Sequence, residues 1–257
     1  MPVQAHPGPA LLRRLPRQPV SAPAHPQGPA QGTGDRGTGQ GPGEALDPSP
    51  EARRARWEER YRETPAEELP WYRPDLDPDL GEALEGLLAE EPDLAGARVL
   101  DLGAGPGTQA VALARRGFRV TASDIAAAAL EQAARHAREA GVELALVQDD
   151  ILDSRLRGPF DLVLDRGCLH TLPREAFPAY AAQVARLLRP GGWLLLKCFS
   201  EEERREEGPP NRLSPEELRA LLEGPFAIRR IERSTFPHRE PGEPPFRALL
   251  CLARRAG

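Results

Sequence analysis

The stretch Val99-Leu100-Asp101-Leu102-Gly103-Ala104-Gly105-Pro106-Gly107-Thr108 decides the fold. Its apolar run reads as a buried strand that closes on an acidic residue, and its glycines read as a tight turn into a helix that begins near Thr108. Phe118-Arg119-Val120-Thr121-Ala122-Ser123-Asp124 then supplies a second strand, again with aspartate at its carboxyl end. Glycines let backbone approach a ligand closely, and a carboxylate at the tip of the next strand can accept both hydroxyls of a ribose. The spacing points to a nucleoside cofactor. A glycine-rich turn alone does not separate a dinucleotide from a smaller nucleoside.

Outward from that turn the chain alternates: strands near 99–102, 118–123, 143–147, 160–164 and 192–199, with helices near 107–116, 126–140 and 174–188. Strands and helices of these lengths in alternation predict an α/β fold with a parallel sheet covered by helices on both faces. Ser214-Pro215-Glu216-Glu217 reads as a helix start, with Ser214 as N-cap, proline in the first turn and Glu217 at the third position. Two last strands, near 226–234 and 246–254, flank a proline-rich loop and predict an antiparallel hairpin.

Upstream, Glu51 to Arg62 fits a helix that carries Trp57 and Tyr61 on one face, four residues apart. Leu69-Pro70-Trp71-Tyr72-Arg73-Pro74 must run extended, because proline biases its predecessor away from helix, and a further helix is expected from Pro78 to Glu90. Residues 1–50 are rich in Pro, Gly and Gln and offer little to bury, which predicts a disordered tail. The folded domain is expected over 51–257, as a helical lid segment (51–95) and a sheet core (96–257).

With 257 residues and a formal net charge of -5, the chain has no broad basic field for gripping nucleic acid. Its 3 cysteines, Cys168, Cys198 and Cys251, are too far apart to form a metal-ligand pair. Reduced, buried thiols in a cytoplasmic protein are the expected outcome, with no metal. No apolar run approaches the roughly 18 residues that span a bilayer. Basic residues are almost all arginine, and Lys197 is the sole lysine.

The turn is Gly103-x-Gly105-x-Gly107 rather than the dinucleotide GxGxxG, Asp101 sits where its charge would repel a pyrophosphate, and the chain ends in a hairpin. Together these features resemble the class I S-adenosylmethionine (SAM)-dependent methyltransferases, a Rossmann-like fold with a seven-stranded, mostly parallel sheet and a C-terminal antiparallel hairpin. The resemblance runs from about Trp57 to Arg254. It implies SAM as cofactor, with Asp101, Gly103, Ala104, Gly105 and Gly107 at its methionine end and Asp124 on the ribose diol, Ile125 being counted beside it. After the third strand it implies that Asp150, or Asp149 through a one-residue slip, accepts from the adenine amino group while the Ile151 N–H meets a ring nitrogen. Asp165-Arg166-Gly167 is similar to the matching segment of the thiopurine S-methyltransferase-like group, whose members act on small molecules. On that likeness Asp165, Arg166 and Trp71 join the cofactor site, Trp71 as part of an aromatic cover with Trp57 and Tyr61.

His170 is open to two readings, the candidate general base as a histidine at a strand's carboxyl edge, and a polar residue packed at the cleft floor. Arg166 is open to two readings, a ligand for cofactor or substrate carboxylate and an ion-pair partner for Asp165, and Cys168 reads as packing. The expected function is methyl transfer to a small-molecule acceptor through S, O or N, with no nucleic-acid or membrane partner. A protein or nucleic-acid methyltransferase is the alternative, disfavoured by Asp165-Arg166-Gly167-Cys168 standing where an (Asp/Asn)-Pro-Pro-(Tyr/Phe) signature would be. A NAD-dependent oxidoreductase is a further one.

Overall fold

Alternation inside the apolar runs assembles the sheet. The computed structural model describes residues 49–206, 208–209, 211–238 and 242–257; the expected tail at 1–50 lies outside them apart from its last two residues. Seven strands, β1 (Arg98–Leu102), β2 (Arg119–Asp124), β3 (Ala145–Gln148), β4 (Phe160–Arg166), β5 (Leu188–Phe199), β6 (Phe226–Phe236) and β7 (Phe246–Arg255), line up in the order β3-β2-β1-β4-β5-β7-β6. The first five are parallel, and β7 runs antiparallel between β5 and β6. The seven-stranded, mostly parallel sheet with a terminal hairpin is the arrangement the sequence predicts.

Side chains alternate between faces with period two, so consecutive strand residues enter different cores. Val99, Leu162, Leu164, Trp193, Leu195, Leu250 and Leu252 pack under α2 (Pro78–Glu90) and α3 (Thr108–Arg115). Their neighbours Leu100, Val163, Leu194, Leu196, Leu249 and Cys251 pack under α5 (Phe177–Leu187) and α6 (Pro215–Leu222). Near-continuous apolar runs are what burial on both faces requires.

Local signals place the helix ends. Ser214 Oγ accepts from the Glu217 N–H while the Glu217 carboxylate accepts from the Ser214 N–H, completing the capping box at α6. The helix expected over 174–188 is shorter, because Arg174–Ala176 form a 3-10 turn and Leu188 already pairs with Phe160 as the first residue of β5. Pro190-Gly191-Gly192 follows directly and cannot continue a helix. Of the two remaining helices, α1 (Pro50–Glu63) lies against α4 (Ala127–Ala140), which begins just past the tip of β2.

The charged run that follows β5 is in part a folded brace. Glu203 is buried; it accepts two bonds from the Arg205 guanidinium and one from the Arg247 N–H, and its carboxyl is held down at about 2. Among the described residues no helix is long and apolar enough to cross a membrane, and no cluster of His, Cys, Asp or Glu is arranged to hold a metal ion.

Candidate active site

The carboxyl ends of β1, β2 and β4 bring Asp101, Asp124 and Asp165 to one edge of the sheet, which is where ligands enter open α/β folds. Between β1 and α3 the turn holds Gly103, Gly105 and Gly107 at φ of 64°, 53° and 75°. That left-handed region is costly for residues with a Cβ. Space is equally limiting: a Cβ on Gly105 would stand 2.8 Å from the Tyr61 hydroxyl, and one on Gly107 2.6 Å from Ala133 Cβ. The turn is tied to β2 by the Ala104 N–H on the Ser123 carbonyl (2.9 Å) and the Gly105 N–H on Asp124 Oδ2 (2.9 Å).

Asp124 is buried, and its other oxygen accepts from the Ala126 N–H at 2.9 Å. The Ile125 N–H bonds the carboxylate as well, so of its roughly four acceptor positions one remains for a ribose hydroxyl. Ile125 follows it, and its carbonyl accepts from Gln148 at 3.0 Å. Burial is the first cause that pushes the Asp124 carboxyl up to about 6, against the backbone bonds that favour its charged form. Asp101 goes further, to about 7, again chiefly by burial, with Asp165 and Asp124 adding like charge. One of its oxygens accepts from the Ala110 N–H, while Oδ2 is buried with no partner. A buried orphan acceptor costs about 1–3 kcal/mol. A cationic donor at the glycine turn would remove that cost.

Asp165, expected on the cofactor, is turned into the fold instead. It is fully buried, with Oδ1 accepting from the Gly167 (2.9 Å) and Cys168 (2.6 Å) N–H groups and Oδ2 from the Leu169 N–H (3.1 Å) and the Tyr180 hydroxyl (2.6 Å). Its carboxylate shapes the bend after β4 and has no oxygen to offer a ligand. Arg166 pairs with neither Asp165 nor open solvent. Its Nε donates to Asp77 Oδ2 at 2.9 Å and its Nη1 to the Trp71 carbonyl at 3.1 Å, clamping the segment between α1 and α2 onto the end of β4.

His170 does not fit the general-base role expected of it. It is buried, and Nδ1 accepts from the Phe199 N–H at 3.2 Å, which leaves the ring proton on Nε2. Burial and then the Arg166 charge lower its pKa to about 3, so the imidazole stays neutral and accepts no proton at working pH. It packs edge-on against Phe199 and Phe236, at 5.1 Å and 5.9 Å between centroids. Cys168 agrees with the packing reading, since burial pushes its thiol well above the ordinary range.

One cluster at this edge was not foreseen from the sequence. Asp77, fully buried, takes Lys197 Nζ at 2.6 Å as well as Arg166, and its N–H donates to Gln109 at 2.8 Å. Lys197 also reaches Asp79 at 3.0 Å. A sole lysine inside the apolar run Leu194–Phe199 was a visible oddity, though nothing in the run names a partner 120 residues upstream. A second cluster brings together the three aromatic residues expected in a cover. Trp57, Tyr61 and Trp71 have ring centroids 5.8–6.2 Å apart, and the Trp71 indole bonds the Tyr61 hydroxyl over Gly105. Arg53 of α1 is ion-paired with Asp150, whose other oxygen accepts from the Leu152 N–H at 3.0 Å. Ile151 is buried beneath that contact. The cover and the residue expected at an adenine are therefore directly joined.

Residues 99–192 match the family model described as "Methyltransferase domain". The chain is 31% identical over 166 residues to a ubiquinone biosynthesis O-methyltransferase of Paracidovorax citrulli, covering 63% of this chain and 64% of that one. Over 67 residues it is 40% identical to a thiopurine S-methyltransferase of Legionella pneumophila, covering 26% of this chain and 30% of that one. It thus spans less than two thirds of the length of these curated relatives. Its fold is similar to that of the Burkholderia thailandensis 1,6-didemethyltoxoflavin-N1-methyltransferase solved with bound 1,6-didemethyltoxoflavin and S-adenosylhomocysteine, with a TM-score of 0.61 at 23% identity, covering 84% of this chain and 94% of that one.

Proposed function

We propose, from a chain that carries a methyltransferase domain of the class I SAM-dependent type, that SAM is its cofactor and a small molecule its methyl acceptor. The observation that carries this reading is the buried, unpartnered Oδ2 of Asp101 beside a glycine turn. A dinucleotide would bring a pyrophosphate to that turn and meet a carboxylate, whereas the amino-acid end of SAM brings an ammonium. The residues present fit the group. Asp101 and the turn glycines would hold the amino-acid end, Asp124 the ribose, Asp150 and Ile151 the adenine, and Trp71 with Tyr61 and Trp57 would cover them.

When bound, SAM supplies a methyl group already activated on a sulfonium sulfur. What remains for the chain is to bind, orient and exclude water. The aromatic cover serves the last of these, held down by Arg166 on the Trp71 carbonyl and by Arg53 on Asp150. Neither His170 nor Asp165 is placed to take a proton from an acceptor: His170 has its basic nitrogen on the Phe199 N–H, and Asp165 is filled by four donors. That favours acceptors that ionise unaided, such as thiols and acidic phenols, over amines that must be deprotonated. The net charge of -5 supports a small acceptor over nucleic acid.

The test is a labelled-methyl assay with thiol, phenol, amine and halide acceptors. Label transferred to one small-molecule class supports the reading. Label found only on protein or nucleic acid, or hydride transfer with added nicotinamide, refutes it.

A further inference from the structure

We infer that His136 is a positioning residue for the cofactor turn and sets cofactor affinity from behind it; this rests on the SAM reading above. By sequence His136 belongs to a polar, alanine-rich helix and looks like a surface residue. In the structure its side chain is only 16% exposed, and Nδ1 lies 2.7 Å from the Pro106 carbonyl in the middle of the glycine turn. A carbonyl only accepts, so Nδ1 carries the proton and donates.

Pro106 has no N–H, which makes that carbonyl its one polar backbone group. Gly105 and Gly107 on either side are glycines with positive φ and little intrinsic stiffness; the Gly107 N–H holds one side of the peptide between them to the Ala104 carbonyl at 2.9 Å, and His136 holds its carbonyl side. Gly105 is anchored from the front, by Asp124. His136 anchors the turn from the back. Its position is itself fixed, because Gly107 packs against Ala133 one helical turn earlier on α4.

The same ridge of α4 carries the cover. At spacings of four, the Ala128 N–H donates to Glu58, Gln132 Nε2 donates to the Tyr61 (2.7 Å) and Thr64 (3.1 Å) carbonyls, and His136 meets the turn. The His136 ring also lies 6.1 Å from the Tyr72 ring, and its Nε2 3.8 Å from Glu67. One helix face therefore registers the aromatic cover and the glycine turn against each other. A ligand between them feels both through His136.

The experiment is calorimetric titration of S-adenosylhomocysteine into the wild-type chain, His136→Ala and His136→Asn, with thermal unfolding of each unliganded protein. Asparagine Nδ2 stands close to where histidine Nδ1 stood and restores the donor without the ring. His136→Ala is expected to weaken binding about five- to tenfold, the effect of losing one neutral hydrogen bond. His136→Asn is expected to recover most of that loss whether or not its melting temperature recovers. Equal affinity in wild type and His136→Ala overturns the inference. So does an affinity that follows melting temperature alone, with asparagine no better than alanine. A wild-type chain that does not bind at all instead overturns the SAM reading, which keeps the two failures apart.

Discussion

Replacing Asp101 with asparagine should make the unliganded protein less sensitive to pH while making it a poorer cofactor binder. Burial raises the Asp101 carboxyl from its ordinary 3.8 to about 7. The folded state therefore keeps a proton that the unfolded state has released. Stability from this group is fully present below pH ~4 and is lost as pH rises to ~7, since the slope follows the protons bound in the unfolded state minus those in the native state. Across about three pH decades at 1.36 kcal/mol each, Asp101 accounts for up to about 4 kcal/mol. Asp124 and Asp165, both raised to about 6, add the same trend in wild type and variant, and the difference between the two reads Asp101 together with its like-charge coupling to them. An ammonium ligand reverses the preference by binding the ionised carboxylate. Its affinity should scale with the ionised fraction, weakening about fivefold from pH 7 to pH 6 and levelling off above pH 8. Thermal unfolding at pH 5 to 8, without ligand, should show the wild type losing stability faster than Asp101→Asn. Calorimetry with S-adenosylhomocysteine over the same range should show the steeper pH dependence in wild type and a weaker, shallower response in the variant, in which Asp124 still titrates. Parallel unfolding curves, or unchanged affinity in Asp101→Asn, would refute the reasoning.

Two further substitutions test the turn and the bend. Gly107→Ala combines a left-handed φ of 75° with a Cβ 2.6 Å from Ala133 Cβ, and should cost about 2–4 kcal/mol in denaturant unfolding; adding Ala133→Gly should return the packing part and leave the backbone part. Asp165→Asn leaves either the Leu169 N–H or the Gly167 and Cys168 N–H groups facing an amide NH2 that cannot accept, and should lower stability by about 2–5 kcal/mol and the melting temperature with it.

The fold was legible because its signals are local. Glycine spacing, the Ser214 capping box, the proline-bounded helices and the alternation in each strand all act within a few residues, and together they led to the observed sheet. The turn and the two strand-tip aspartates were legible for the same reason. Roles that depend on distant partners were not. Nothing near Asp165 announces that Tyr180 and three backbone N–H groups will fill its carboxylate, and nothing near Arg166 names Asp77, 89 residues upstream. His170 looked like a base because sequence gives residue type and strand edge, whereas the tautomer is set by a backbone N–H 29 residues away. His136 was misjudged in the opposite sense. Its helix looks polar, and only the packing of that helix against the turn gives the imidazole a partner.

The central claim is that this edge of the sheet is a SAM site, and binding to Asp124 tests it most directly. Calorimetric titration of S-adenosylhomocysteine into the wild-type chain and Asp124→Ala, at pH 8 where the carboxylates are ionised, should give saturable one-site binding that the substitution weakens at least about tenfold, since hydrogen bonds to a charged group contribute roughly 1.5–3 kcal/mol each. No binding to the wild type, or equal affinity in both proteins, would contradict it.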